Sequence, residues 1–159
     1  MPRHQVSATG VVKAPPARVY AILADYRDGH PHVLPRPPFG ELTVEQGGTG
    51  AGTVIRVDMR VLGRTRTARG VVTEPEPGRL LAETYEDGTV TSFTVEPCDD
   101  GRHARVTIAT DIQTRGWLLG MIERWLITRL LRPVYVRELA LLAAFAEKAE
   151  AARPEGRGG

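Results

Sequence analysis

The sequence predicts an α+β domain in which seven strands form a curved antiparallel sheet around one long C-terminal helix, with two short helices after the first strand. Three observations predict it. Strand-length runs fill residues 41–114, divided by glycine and Asp-Gly turns. After Gly116 the apolar spacing changes to the helical period and holds to about residue 152. Between the first strand and the rest stands a short stretch opened by Pro15-Pro16, and proline suits the first turn of a helix.

Residues 5–12 alternate weakly and read as the first strand. A short helix follows through residues 18–23, with Val19, Ile22 and Leu23 on one side. Residues 28–40 are proline-rich and read as loop with at most one helical turn. Strands are then expected at 41–46, 53–62, 64–73, 80–86, 89–96 and 102–114. The run 53–62 alternates cleanly, Ile55, Val57, Met59 and Val61 against Arg56, Asp58 and Arg60. Asp87-Gly88 joins 80–86 to 89–96, a strong hairpin signal. In the terminal helix Leu119, Ile122, Leu126 and Leu130 form one stripe. Pro133 must kink or break the helix, because it lacks an amide proton and clashes with the preceding turn. Beyond it the stripe re-forms as Tyr135, Leu139, Leu142 and Ala146.

The chain has 159 residues, 42% of them hydrophobic and 25% charged, a globular composition for one domain with room for a cavity. That domain is expected over residues 1–152, with a polar, glycine-rich tail at 153–159 expected to be disordered. The formal charge is only +2, and Lys13 and Lys148 are the only lysines, a bias that fits a GC-rich genome. Acidic residues interrupt the arginines almost everywhere, which argues against a nucleic-acid surface. Cys98 is the only cysteine, so neither an intramolecular disulfide nor a cysteine-based zinc site is available. MPRHQVSATG has no apolar stretch of signal-peptide length, and the expected compartment is the cytoplasm. Glu123, Arg124, Arg129 and Arg132 interrupt the terminal helix well short of a transmembrane span.

The order of elements resembles the START-like, or polyketide cyclase/dehydrase-like (SRPBCC), superfamily. Its opening motif is matched by residues 13–26, KAPPARVYAILADY. Gly50-Ala51-Gly52-Thr53 resembles its glycine turn, and Ala104-Arg105-Val106-Thr107-Ile108 with Gly116 resembles its closing segment. The resemblance covers about residues 5–150. It implies a helix-grip fold with a ligand cavity between sheet and helix, and no shared metal, nucleotide or other cofactor. Members include aromatase/cyclases of polyketide synthesis and lipid and hormone carriers.

Hairpin registers assign the faces. A two-residue turn at Asp87-Gly88 pairs Glu86 with Thr89, which puts Leu80, Ala82 and Thr84 on one face with Thr91, Phe93 and Val95. A two-residue turn near Gly63 puts Arg66, Ala68, Gly70 and Val72 on the face of Ile55, Val57, Met59 and Val61. Small Ala68 and Gly70 would leave space, and Arg66 would point into it or lie at its mouth, as an anchor for a carboxylate, phenolate or carbonyl. The last strand turns Ala104, Val106, Ile108, Thr110 and Ile112 inward. Ile122 and Leu126 of the helix should complete the wall, with Trp125 at its flank. Most of these residues are expected to be core, since interiors are close-packed.

This inward set holds no His, Asp or Glu; Asp58, Glu83, His103 and Asp111 all fall outward. The count argues against general acid–base catalysis. His30 and His32 lack an evident third ligand and read as exposed loop residues near the mouth, where Tyr26 could help close the cavity. The expected function is therefore binding or transport of a hydrophobic small molecule, lipid-like or aromatic. The alternatives are a polyketide aromatase/cyclase-type enzyme, which the resemblance implies, and a protein or membrane-surface interaction module. The last rests on Trp117, Leu118, Met121 and Trp125, more apolar surface than one packed face needs, which could also serve a homodimer through the C-terminal helix.

Overall fold

Period-two alternation lays down β1 (Arg3–Val12), β2 (Phe39–Gln46), β3 (Val54–Val61), β4 (Arg64–Glu76), β5 (Leu80–Tyr85), β6 (Val90–Cys98) and β7 (His103–Gln113). Between β1 and β2 lie α1 (Pro16–Ala24) and a second short helical segment, a single 3-10 turn at His30–His32. The long helix α2 covers Trp117–Ala151. The computed structural model describes residues 3–114 and 117–153, without the side chains of 117–119. The tail from residue 154, Gly116, and the side chains of Trp117, Leu118 and Leu119 thus lie outside the described residues.

All seven strands pair antiparallel in the order β1-β7-β6-β5-β4-β3-β2. The chain therefore runs as a meander from β2 to β7, and β1 pairs with the final strand. Helix α2 packs on β1 and touches α1 and the 3-10 turn. The core includes Val12, Val19, Leu23, Val106, Ile108 and Leu142, all fully buried.

Two registers decide what faces the helix. The β3–β4 hairpin turns at Leu62-Gly63, both at positive φ (51° and 75°), the conformation that twists with the flanking strands. It pairs Val57 with Ala68 and Met59 with Arg66, the alignment expected from the sequence.

The β5–β6 hairpin differs from expectation. Its last pair is Thr84 with Val90, not Glu86 with Thr89. The Gly88 amide donates to the Tyr85 carbonyl at 2.9 Å, and the Thr89 amide donates to the Asp87 carboxylate at 2.9 Å. Gly88 sits at φ 84°, as in a bulged hairpin loop. The extra residue slips the register by one, and a one-residue slip turns every side chain of the strand over. Leu81, Glu83 and Tyr85 face inward as a result, while Ala82 and Thr84 face away.

Helix α2 also departs from expectation. It continues through Pro133 without a break in helical structure. Its second stripe is buried as expected, at Tyr135, Leu139, Leu142 and Ala146. The first stripe is not: Ile122 is 65% exposed, Trp125 62%, Leu126 40% and Leu130 42%. The physical reason is the face: α2 runs on through Pro133, and the side it turns to the sheet carries Ile127, Thr128 and Leu131 before Tyr135, Leu139 and Leu142. A 35-residue helix extends about 52 Å, whereas ten-residue β1 spans only about 33 Å. The helix is thus longer than β1, but in its first half Ile127 and Leu131 still pack on the core and Thr128 bonds His4 of β1, leaving Ile122, Trp125, Leu126 and Leu130 on the outer face.

Candidate functional site

Between the concave face of the sheet and the second half of α2 lies a cavity of about 250 Å³. Its lining includes Ile55, Val57 and Met59 of β3, Ala68 of β4, and Thr91 and Phe93 of β6. Leu34, Phe39 and Leu42 close one side, and Thr110, Ile112 and Leu131 another. Thr91 and Thr110 join their hydroxyls at 2.8 Å across the wall, and Thr110 also bonds the Tyr135 hydroxyl.

Other residues expected at the ligand are placed elsewhere. Val95, Val106 and Ile108 are buried in the packed core and do not line the cavity. Ala82 and Thr84 are turned away by the β5 register, and Ile122, Trp125 and Leu126 stand on the exposed outer face of α2. Val61 and Arg66 are exposed and line an outer groove that shares Met59, Ala68, Tyr85 and Asp87 with the cavity. Arg66 therefore lies outside, on the approach. Gly70 leaves no space for a ligand, because the ring of Tyr85, its cross-strand partner, fills it. A Cβ on Gly70 would stand 2.9 Å from Tyr85 Cε1.

A polar cluster at the inner end was not foreseen from the sequence. Glu83 is only 3% exposed. Tyr26 donates its hydroxyl to Glu83 Oε1 at 2.7 Å, and Tyr85 donates to Oε2 at 2.7 Å. Both oxygens thus act as acceptors, the pattern of a carboxylate. His30, expected to be exposed, is 1% exposed. Its Nδ1 donates to the Leu23 carbonyl at 2.8 Å, which turns Nε2 toward Glu83 Oε1 at 3.7 Å. Its ring stacks on Tyr26 at 4.6 Å and meets the edge of Phe93 at 5.3 Å. His32 is exposed and stacks on Phe145 instead.

The second buried carboxyl is Glu138, also 3% exposed, on the face of α2 that carries Tyr135 and Leu142. It lines the cavity and makes no hydrogen bond or ion pair with any described residue. Burial first, and then the charge of Glu83, push its carboxyl well above the usual range. Burial and Glu83 likewise raise the phenols of Tyr26 and Tyr85. Two carboxyls on one cavity are thus held in unlike states: Glu83 an acceptor tied by two phenols, Glu138 an acid that keeps its proton to higher pH. The interior expected to hold no His or Glu, which spoke against acid–base chemistry, in fact holds one histidine and two glutamates.

A sequence signal existed for Glu138. It stands three residues after Tyr135 and four before Leu142, in the middle of an apolar stripe, where a carboxyl is costly unless used. Glu83 had none, since its face depends on the length of a hairpin loop.

Residues 3–147 match the family model described as polyketide cyclase / dehydrase and lipid transport. The solved structure of the KanY protein superposes with a TM-score of 0.79 at 26% identity, covering 92% of this chain and 99% of that one. The Zhui aromatase/cyclase from Streptomyces sp. R1128 gives 0.73 at 21% identity, covering 99% of both chains. A START superfamily protein from Mycobacterium smegmatis gives 0.71 at 14% identity, covering 92% of this chain and 99% of that one. No curated protein matches the chain in sequence.

Proposed function

The chain belongs to the polyketide cyclase / dehydrase and lipid transport family, and from that premise we propose that its cavity binds a small, mostly apolar molecule with one polar group directed at Glu83 and Glu138. The observation that carries this reading is the cavity itself: apolar walls on three sides and one buried polar pole. Volume sets the size of the occupant. Benzene is held by a cavity of roughly 150 Å³, so about 250 Å³ suits roughly ten non-hydrogen atoms. A fused ring pair or a short chain fits within it, whereas a long acyl chain would have to run out into the adjoining groove, which favours the aromatic over the lipid-like form of the expectation.

Native mass spectrometry of the purified protein, followed by extraction, tests this. A near-stoichiometric adduct of one or two rings supports it. A long-chain lipid as the bound species sinks it.

A second reading has its own observation. Carboxyls in unlike surroundings on one cavity, Glu138 with its pKa raised by burial and Glu83 accepting from two phenols, suit general acid–base catalysis, and the Zhui protein is described as an aromatase/cyclase. The two readings separate in D₂O. An enzyme exchanges carbon-bound hydrogen of the bound molecule for deuterium, visible by NMR, and Glu138→Gln abolishes it; a carrier leaves every carbon position unchanged.

A further inference from the structure

We infer that the molecule this cavity selects carries a basic nitrogen, bound as an ammonium ion against Glu138 with Glu83 beside it; this rests on the reading of the cavity as a ligand site. The first support is charge. Three carboxyls line the cavity, Glu83 and Glu138 inside and Asp87 at the hairpin turn, and among the described residues no lysine or arginine does. Arg64, Arg66 and Arg69 line only the outer groove. An anionic ligand would lie beside Glu83 and find no basic side chain to pair with except His30, whose Nε2 already faces Glu83 at 3.7 Å.

The second support is Glu138, whose carboxyl opens onto the cavity and makes no hydrogen bond or ion pair with another described residue. Among the described residues no buried polar side-chain atom is sealed without a partner, so the Glu138 oxygens keep access to the cavity, where water or a ligand supplies their bonds. A hydroxyl on the ligand could bond it, but would leave the desolvation of Glu138 in place. An ammonium removes the cause by supplying the opposite charge.

The third support is the aromatic surround. Phe93, Tyr85, Tyr135 and His30 line the same end of the cavity, and aromatic faces attract cations, more so out of water. Tyr26, stacked behind His30, and Tyr85 spend their hydroxyls on Glu83, so both of its oxygens are engaged as acceptors beside the cavity.

The proton balance is simple. An amine that enters as R–NH₃⁺ displaces the proton of Glu138 to solvent, leaving carboxylate and ammonium paired. One that enters uncharged takes that proton directly.

Three probes with one ring system test this by isothermal titration calorimetry at pH 7: 1-naphthylmethylamine, 1-naphthylmethanol and 1-naphthoate. The amine is expected to bind about tenfold or more tighter than the alcohol, the increment of a charge-assisted bond over a neutral one, and the acid not measurably. Buffers of different ionisation enthalpy should show proton release on binding the amine and none for the alcohol. Glu138→Gln should remove the amine preference, bringing the amine and alcohol affinities together. Equal binding of amine and alcohol without proton release, or tightest binding of the acid, overturns the amine assignment while the cavity reading stands. Failure of all three to bind overturns both. The wild-type proton count decides between these outcomes even if the variant does not fold.

Discussion

Two phenols and an imidazole converge on Glu83 from two parts of the chain, Tyr26 and His30 from the loop after α1 and Tyr85 from the end of β5. Without the Tyr26 hydroxyl, Glu83 Oε1 would keep only His30 Nε2 at 3.7 Å, too far for a hydrogen bond. Tyr26→Phe is therefore expected to cost about 1.5–3 kcal/mol, the range for a hydrogen bond to a charged group. Urea unfolding at pH 7 measures it, and an unshifted midpoint would mean that water replaces the phenol. At this scale the sequence was half legible. Phe93 and Thr91 could be assigned because their strand alternates plainly. His30 could not, because its burial comes from a carbonyl, a tyrosine ring and a phenylalanine that meet it only in three dimensions.

At the scale of elements, strand β5 turns on a single residue of loop. Seven strands and a terminal helix were readable from period and turn chemistry, since both are local properties. The face of β5 was not, because a bulged loop and a two-residue turn are both compatible with Asp87-Gly88 and differ by one step of register. The same strand makes Gly70 a packing position. Its missing side chain admits the Tyr85 ring, which in turn places the Tyr85 hydroxyl on Glu83. Gly70→Ala should displace that ring, costing about 1–3 kcal/mol as overpacking does. It should also weaken ligand binding, although Gly70 touches no cavity surface. Thermal unfolding and titration with 1-naphthylmethanol, run side by side, check both; full stability with normal affinity would show that Tyr85 is not held this way.

For the whole molecule, the buried acid links folding to pH. The native state holds the Glu138 proton above its usual range, whereas the unfolded chain releases it at about pH 4.3. Above that pH the unfolded state binds fewer protons, so stability falls as pH rises from about 4.5 through the native value. Glu138→Gln lacks this loss. The difference in unfolding free energy between the two proteins, followed by denaturant titration from about pH 4 to 9, should move steadily in favour of the variant; a flat difference would mean that Glu138 ionises freely when folded. The pairing of β1 with β7 gives this linkage its reach. The first strand finds its neighbour only after about a hundred intervening residues have been laid down, and α2, which brings Glu138, docks on β1. Nothing shorter than the nearly complete chain can therefore assemble the cavity. The meeting of the chain's two ends is at once a slow, non-local step of folding and the birth of the binding site, so a ligand should act on this protein as a keystone acts on an arch, locking a structure that has no smaller stable part.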